Sequence, residues 1–411
     1  MEVHDTVANG EVHGFCEAGF ESVLNEFVKN FNDRSEVGAS VCVQVDGQIK
    51  VDLWGGLSSD DDKTPWQKDT VSIVFSCTKA AVALCAHILA DRGELDLFAP
   101  VTDYWPEFGK NGKEKTTVAM MLNHSAGLPA FRDPIKPGGY YDWDYMVKRL
   151  EDEAPFWEPG TRNGYHMVSF GWTVGELIAR VSGKTLGQFF ADEVAGPLGL
   201  DFWIGLPEEI EPRVSPIIIF SPNPGDPVTE FVEKLLSDNS SIQYLSFLNS
   251  GDFDVNTREA HAAMIGGGGG ITNARSLCGM YAPLSGDGTY QGRKLVSLDA
   301  IARMRQVSMA TQRDATLLIP SRFTLGFMKS MDNRHRPLGH VESLIIGEKA
   351  FGHGGAGGSL GFADPECSLA FAYTMNKMGF GILLNERGQS LVDATYRSLG
   401  YRSNQSGVWV Q

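Results

Sequence analysis

The chain has 411 residues, 42% of them hydrophobic, which is enough to bury a large core and to form two or three domain-sized units. Acidic residues outnumber basic residues by 51 to 35, and the formal net charge at pH 7 is −16. This excess of negative charge argues against nucleic acid or an anionic membrane as a partner.

The cysteines and the N-terminal sequence bear on where the protein works. Six cysteines are scattered without Cys-x-x-Cys spacing, a pattern typical of reduced, mostly buried thiols rather than of a disulfide framework or a zinc site. Residues 1–15 are polar, and no apolar run approaches membrane-spanning length. We therefore expect a cytoplasmic protein that binds no membrane; its oligomeric state stays open.

The N-terminal part begins with a helix and a hairpin. Hydrophobic residues at helical spacing predict an amphipathic helix over Phe20–Phe31. Two β-rich runs, Ala39–Val45 and Gln48–Trp54, are separated by an Asp-Gly pair, which predicts a tight hairpin turn. The helix is expected to pack on the sheet to which this hairpin belongs.

The stretch Val71–His87 holds the main candidate for chemistry. It predicts a buried helix from about Ser76 to Arg92, on which Ser76 and Lys79 lie one turn apart on the same face. A serine hydroxyl needs a neighbouring base, and a lysine in an apolar site can act as one because desolvation lowers its pKa. Free N–H groups in the first helical turn would favour negative charge at Ser76. Ser-x-x-Lys also occurs by chance, so the motif alone leaves a purely structural interpretation open.

The middle of the chain is predicted to be mostly helical. Helices are expected over Thr117–Leu122 and Ser169–Val181, and the Pro-, Gly- and aromatic-rich segment 132–145 between them is typical of a structured loop over a cleft. The Gly-Lys-Thr triplet at 183–185 lacks the leading glycine of a phosphate-binding loop and predicts a turn that ends the second helix. The aromatic residues of 202–253 could line an acyl pocket or form a satellite core.

Two glycine-rich segments stand out in the C-terminal part. Gly266–Gly270, ahead of a predicted helix over Ile271–Met280, indicates either a backbone in close contact with a ligand or a neighbouring strand, or a flexible loop. The segment Phe351–Asp364 predicts a strand edge against which a substrate can lie. Buried strands are predicted over Arg322–Met328 and Ser368–Met375, so that both ends of the chain form one sheet, and a helix over 387–399 follows.

Four motifs occur together in a recognisable order. They are Ser76-Cys-Thr-Lys79, Leu122-Asn-His-Ser-Ala-Gly-Leu128, Pro159-Gly160 followed by Tyr165, and Gly352-His-Gly-Gly-Ala356. In order and approximate separation they resemble the serine hydrolases of the penicillin-binding-protein and class C β-lactamase superfamily, and most of all the family VIII carboxylesterases. The resemblance covers nearly the whole chain, from the hairpin to the last helix.

The resemblance implies a fold as well as an activity. The fold is α/β (α+β), of the β-lactamase/DD-peptidase type, with an antiparallel sheet flanked by helices and an inserted helical domain. Residues 1–75 and 260–411 would form the α/β domain from both termini, and residues 76–259 the mostly helical domain with cleft-covering loops. The active site would lie in the cleft between them.

The resemblance also implies roles for individual residues. Ser76 would be the acylated nucleophile, Lys79 its general base, and Tyr165 the residue that protonates the leaving group. The amides of Ser76 and Ala356 would form the oxyanion hole.

Two departures from the β-lactamase pattern bear on the substrate. His353, Gly354 and Gly355 stand where β-lactamases have Lys-Thr-Gly, and Met167 stands where class C enzymes have an asparagine that contacts the β-lactam amide. We expect these four residues to bind substrate, although His353 could instead orient Tyr165 or simply be packed. A histidine that is weakly charged or neutral at pH 7 disfavours efficient β-lactam hydrolysis and favours uncharged esters.

The sequence therefore predicts a serine carboxylesterase that hydrolyses short-chain esters through an acyl-enzyme, without a cofactor or a metal. A β-lactamase (weak cephalosporinase), D-amino-acid peptidase or acyltransferase with the same centre is the alternative, and a catalytically silent ligand-binding relative is a second. Residues 357–361 also spell the Gly-x-Ser-x-Gly nucleophile elbow, but the residues after Ser359 break a helix where that motif requires one. The histidines show no clustered ligands in the sequence.

Overall fold

Strands from both ends of the chain form one antiparallel sheet in the computed structural model, which describes residues 1–61, 63–222, 225 and 227–411. Within these residues the strands are β1 (Glu2–Val7), β2 (Gly10–Cys16), β3 (Gly38–Val45), β4 (Gln48–Ser59), β5 (Thr64–Pro65), β6 (Ser72–Ile73), β7 (Phe202–Ile204), β8 (Gly270–Thr272), β9 (Thr289–Tyr290), β10 (Arg293–Lys294), β11 (Met309–Thr311), β12 (Ser321–Phe323), β13 (Phe351–Gly354), β14 (Leu360–Asp364) and β15 (Leu369–Met375). The main sheet has the order β1-β2-β4-β3-β15-β14-β13, and β5 pairs with β4.

Helices cover both faces of this sheet and fill the middle of the chain. The α-helices of the described residues are α1 (Glu21–Asp33), α2 (Cys77–Asp91), α3 (Val118–Leu122), α4 (Trp143–Asp152), α5 (Phe170–Ser182), α6 (Leu186–Phe190), α7 (Gly196–Leu198), α8 (Glu230–Ser237), α9 (Ile242–Phe247), α10 (Arg258–Ala262), α11 (Ala274–Tyr281), α12 (Leu298–Arg305) and α13 (Glu386–Ser398). A π-helical turn, Ala191–Ala195, joins α6 to α7.

Large and small side chains alternate along the central strands, and this alternation decides which helix packs on which face of the sheet. Large side chains such as Val43 and Phe371 point to the face covered by α1 and α13. Small ones such as Cys42, Ala370 and Ala372 point to the other face, where α11 packs on β3 and β15. The small residues let that helix approach the strands closely, and both faces of the sheet are therefore buried.

Most of the predicted elements are present. The structure confirms the amphipathic α1, the β3–β4 hairpin, the buried α2, the strand β15 and the last helix α13. The turn at 183–185 ends α5, with Gly183 in the left-handed conformation at a φ of 71°. The glycine-rich segment forms β13 and β14, and β13 is the edge of the sheet, as predicted.

Three elements differ from prediction. The helix expected from Ile271 begins only at Ala274, because residues 270–272 belong to β8 and Asn273 caps the helix by accepting a hydrogen bond from Ser276 N. The long strand expected over Arg322–Met328 ends at Phe323, where the chain folds back in a tight turn and residues 323 and 328 pair with each other. The hairpin β1–β2 was not predicted, because Asp5, Gly10 and Gly14 interrupt the valines of its inner face and break the apolar alternation.

A shared apolar core links the helical part of the chain to the sheet. One apolar cluster contains residues of α2, α3 and α5 together with residues of α11 and β15, so it extends across the predicted domain boundaries. The division into 1–75 plus 260–411 and 76–259 stays a prediction. All six cysteines are free thiols, five of them buried. None of the helices in the described residues combines the length and apolar character needed to cross a bilayer.

Candidate active site

Ser76 lies at the tip of a strained turn between β6 and α2. Phe75, the residue before it, has a φ of 45°, in the left-handed region that bulky side chains rarely adopt. The strand side of the turn is held by Val74 N, which donates to Gly270 O at 2.9 Å. Ser76 occupies the N-terminal cap of α2 and lines a cavity. The turn therefore directs a hydroxyl out of an otherwise buried helix.

Lys79 is completely buried one turn further along α2. Its Nζ lies 3.0 Å from Ser76 Oγ, and it donates to the carbonyl oxygens of Met167 at 2.6 Å and Gly267 at 2.5 Å. No carboxylate of the described residues pairs with the ammonium. Burial without a counter-ion lowers the pKa of Lys79 well below the usual value for lysine. The Ser76–Lys79 spacing predicted from the sequence is present.

The five glycines turn out to be a close backbone contact rather than a flexible loop. A Cβ at Gly267 would lie 2.3 Å from Val168 O, and a Cβ at Gly171 would lie 2.1 Å from Gly267 N. This contact between the glycine run and the start of α5 brings Gly267 O to Lys79. The neighbour that Gly266 and Gly267 approach is therefore the segment 168–171, whereas Gly270 packs on Thr78 of α2.

Tyr165 is held beside Ser76 and Lys79 by its ring and its backbone. The ring stacks on Phe323 at a centroid distance of 5.7 Å, and Lys79 Nζ lies 4.8 Å from the ring centroid. Tyr165 N donates to the carboxylate of Asp314 at 2.9 Å and 3.2 Å. Tyr165 lines the cavity, and among the described residues its buried hydroxyl has no hydrogen-bond partner of normal geometry.

The protonation state of Tyr165 follows from its burial. Desolvation raises the pKa of the phenol well above its ordinary value, and the neighbouring Ser76 hydroxyl only partly opposes that shift. The phenol is therefore neutral near pH 7, with a proton to give. A buried lysine with a lowered pKa and a buried tyrosine with a raised pKa have complementary chemistry.

The Leu122–Leu128 motif acts as a support for the tyrosine loop. His124 Nδ1 accepts from His166 N at 3.1 Å, and Leu128 N donates to His166 Nε2 at 2.9 Å. Gly160 N donates to Ser125 O at 2.9 Å. Burial lowers the pKa of both histidines, so that they act as neutral hydrogen-bonding groups inside the core.

Two residues with free backbone amides reach the same cavity from different elements. Ser76 and Ala356 both line it, and in the part of the chain that the structure describes neither amide N–H donates to a protein acceptor. The close packing of Gly355 on the Ser76 turn brings these segments together, since a Cβ at Gly355 would lie 2.2 Å from Val74 O. Both amides are therefore free to donate, and their role as an oxyanion hole stays a prediction.

Only some of the predicted substrate-binding residues line the cavity. Gly354 and Met167 line the cavity, whereas Gly355 packs on Val74 and His353 is fully buried. His353 Nδ1 is bonded to Gly354 O at 2.7 Å, and its Nε2 lacks a partner among the described groups. Burial, with a contribution from the nearby Lys79 charge, lowers the pKa of His353 to about 3. Direct contact of His353 with a substrate stays a prediction.

The cavity beside Ser76 is large and apolar. It has a volume of about 610 Å³, and no charged side chain lines it among the described residues. Phe220, Phe231 and Phe247 form part of its wall, whereas Phe253 packs on Tyr140 in the core. The sequence alone could not separate these two groups of aromatic residues. The cavity contains no group of three possible metal ligands within the described residues.

Ser359 differs from Ser76 in every respect that matters for a nucleophile. It is completely buried, does not line the cavity, and precedes the strand β14 rather than a helix. A nucleophile elbow needs a strand, a tight turn and a helix in that order. The Gly-x-Ser-x-Gly segment is part of the close-packed β13–β14 connection.

Comparison with known proteins decides the family. The sequence model of the Beta-lactamase family matches residues 24–392. The chain belongs to the beta-lactamase family. It is 32% identical over 375 residues to the esterase/beta-lactamase LipL of Mycobacterium tuberculosis. The aligned region covers 90% of this chain and 84% of LipL.

Solved structures of beta-lactamase relatives confirm the predicted fold class. A family VIII carboxylesterase has a TM-score of 0.83 and 35% identity, over 94% of this chain and 99% of that one. A penicillin-binding-protein homologue from Caulobacter crescentus has a TM-score of 0.82 and 33% identity, with the same coverage. This beta-lactamase family member is accordingly a serine hydrolase of the esterase and β-lactamase type, as the four motifs predicted.

Proposed function

We propose that the protein is a serine carboxylesterase that hydrolyses neutral, short-chain carboxylic esters through an acyl-enzyme on Ser76. The observation that carries this proposal is the fully buried Lys79, with Nζ 3.0 Å from Ser76 Oγ and no carboxylate partner among the described residues. The family relatives that are named esterases support the same reaction class.

Lys79 is suited to act as the general base. Once its amine has lost a proton, two N–H groups remain for the two carbonyls that it contacts, and the lone pair is left to accept the proton of Ser76. The lowered pKa makes this neutral form accessible near pH 7. Ser76 Oγ then attacks the ester carbonyl carbon while its proton moves to Lys79.

Tyr165 and the two free amides complete the first half-reaction. The oxyanion of the tetrahedral intermediate accepts hydrogen bonds from the N–H groups of Ser76 and Ala356, a type of stabilisation worth several kcal/mol, about 3–4 kcal/mol per donor. Tyr165 gives its proton to the departing alcohol, and the Lys79 ammonium returns a proton to the phenolate. Water, activated by the same pair, attacks the acyl-enzyme and releases the acid.

The cavity favours an uncharged ester over the alternatives. A β-lactam carries a carboxylate and a D-amino-acid peptide an ammonium, and a charged group loses solvation in an apolar cavity unless it is paired. No charged side chain of the described residues lines this cavity to provide such a pair. Its volume of about 610 Å³ also leaves room for a larger apolar acyl or alcohol group than a short-chain ester has.

The test compares two serines and two classes of substrate. We expect Ser76→Ala to abolish hydrolysis of p-nitrophenyl butyrate, whereas Ser359→Ala, the matched control in the second serine motif, retains most of it. Intact-mass measurement should detect an acyl adduct on Ser76 with a p-nitrophenyl ester or an activated phosphonate, and much less with nitrocefin. A nitrocefin rate above the ester rate would favour the β-lactamase alternative, and no adduct at all would favour a silent relative.

A further inference from the structure

The outer face of the N-terminal hairpin carries three possible metal ligands. His4, Glu11 and His13 each offer one ligand atom, and these atoms all lie within 4.8 Å of one another. Glu11 Oε1 is 3.3 Å from His4 Nε2, and Glu11 Oε2 is 3.2 Å from His13 Nε2. Throughout the described residues, no other group of three His, Cys, Asp or Glu side chains meets this criterion.

The register of the hairpin explains why these side chains meet. In the β1–β2 ladder His4 lies directly opposite His13, and Thr6 lies opposite Glu11. Opposite residues of an antiparallel pair share a face, and so do residues two apart in one strand. The other face of the ribbon buries Val3 and Val12 in the core, so the ligand face cannot turn inward.

The site has a rigid base. β2 pairs with β4 along Val12–Cys16, and the ring of Trp54 on β4 stacks on His13 with centroids 6.4 Å apart. The rings of His4 and His13 lie 4.8 Å apart. The backbone positions are therefore fixed by the sheet, and only side-chain rotation is needed to change the separation of the ligand atoms.

We propose that His4, Glu11 and His13 form a binding site for a divalent transition-metal ion, with Zn²⁺ as the best match. Imidazole nitrogen and carboxylate oxygen are ligands that Zn²⁺ prefers. Bond lengths of about 2.1 Å and tetrahedral angles place ligand atoms about 3.4 Å apart. The two contacts of Glu11, one from each carboxylate oxygen, are close to that separation, and rotation of the side chains would bring a single oxygen and both imidazoles, now within 4.8 Å of one another, to it. Three protein ligands leave one position for water.

The location of the site indicates what the ion does. β1 and β13 are at opposite edges of the main sheet, and six inter-strand spacings amount to about 29 Å. The ion would thus join the two strands of the edge hairpin and stabilise the folded protein, without reaching Ser76. The excess of acidic residues in the chain, 51 against 35 basic, also favours a cation.

The test is calorimetric titration of ZnCl₂ into tag-free, EDTA-treated full-length protein. We expect one Zn²⁺ per chain, and loss of measurable binding in the double variant His4→Ala/His13→Ala. The matched control is His335→Ala/His340→Ala, which removes two exposed histidines outside the cluster and should bind as the wild type does. Glu11→Gln keeps both imidazoles and should bind more weakly than the wild type.

Thermal unfolding gives a second readout that does not depend on activity. Zn²⁺ should raise the Tm of the wild type and of the His335/His340 control but not that of the His4/His13 variant, while the hydrolysis rate of p-nitrophenyl butyrate stays the same with and without the ion. Failure of the wild type to bind Zn²⁺, or unchanged binding by both the His4/His13 variant and Glu11→Gln, would overturn the proposal.

Discussion

Substitution of the buried Asp314 tests how Tyr165 is positioned. Its carboxylate is completely buried and accepts from the backbone N–H groups of Tyr165, Thr316 and Leu317, each at 2.9 Å to Oδ1. Oδ2 also accepts from Ser321 Oγ at 3.2 Å. We expect Asp314→Ala to lower kcat by misplacing Tyr165, and Asp314→Asn to retain most of it.

The expected losses of stability and rate follow from the hydrogen bonds that Asp314 accepts. The alanine variant leaves three buried N–H groups without acceptors, at about 1–3 kcal/mol each, so unfolding free energy should fall by about 3 kcal/mol or more. A shift of about 1 Å in a reacting group costs on the order of 100-fold in rate. In Asp314→Asn, Oδ1 keeps all three amides, and the new N–H₂ group can donate to Ser321 Oγ, which already donates to Asn163 Oδ1. The expected loss is within about 1 kcal/mol.

The assay is kcat and KM for p-nitrophenyl butyrate, measured well below the Tm of each variant together with urea unfolding. A positioning role predicts a loss in kcat with KM nearly unchanged for Asp314→Ala. Wild-type kcat in a destabilised Asp314→Ala would refute the reasoning. Equal damage in Asp314→Asn would mean that the charge of Asp314, which adds to the larger effect of burial in raising the pKa of Tyr165, matters more than its geometry.

Two further predictions concern buried charges. Because desolvation lowers the pKa of Lys79, kcat/KM should rise with pH through an acid limb that lies well below 10.5 and then level off. Lys79→Arg should be inactive across the same pH series, because its guanidinium keeps its proton. Arg387 Nη1 donates to the fully buried Glu36 Oε1 at 2.6 Å, so Arg387→Met should lower the urea-unfolding free energy by about 3–5 kcal/mol, and a Glu36→Gln/Arg387→Met double variant should recover part of that loss.

Local patterns in the sequence predicted the elements that depend on neighbours in the chain. The Ser76 and Lys79 pair follows from helical geometry alone, and the β3–β4 hairpin follows from a two-residue turn. The hairpin β1–β2 escaped prediction because only one of its faces is apolar and that face has few residues. Missing it also hid the meeting of His4 with His13, which are nine positions apart in sequence but opposite each other in the ladder.

The parts of the site that sequence reasoning missed are main-chain groups and their distant partners. Lys79 depends on the carbonyls of Met167 and Gly267, 88 and 188 residues away. A carbonyl carries no residue-type signature, so only the need for close packing, visible as five consecutive glycines, indicated one of them. Asp314 had no motif around it, although it orders the backbone of Tyr165.

The sequence predicted the side chains of the site but missed the main-chain groups that hold Lys79. This difference has a physical basis in what sets the pKa of Lys79. A carboxylate partner would be readable in the sequence, but it would stabilise the ammonium and raise the pKa of Lys79. Neutral carbonyls hold the amine in place with less stabilisation of its charge, which leaves burial as the dominant influence on the pKa. An engineered acid at Met167, whose carbonyl oxygen Lys79 contacts and which lines the cavity, should therefore move the acid limb of kcat/KM to higher pH in the variant Met167→Glu. A pH profile that does not move while the variant stays folded would contradict the claim that a carboxylate partner raises the pKa of Lys79.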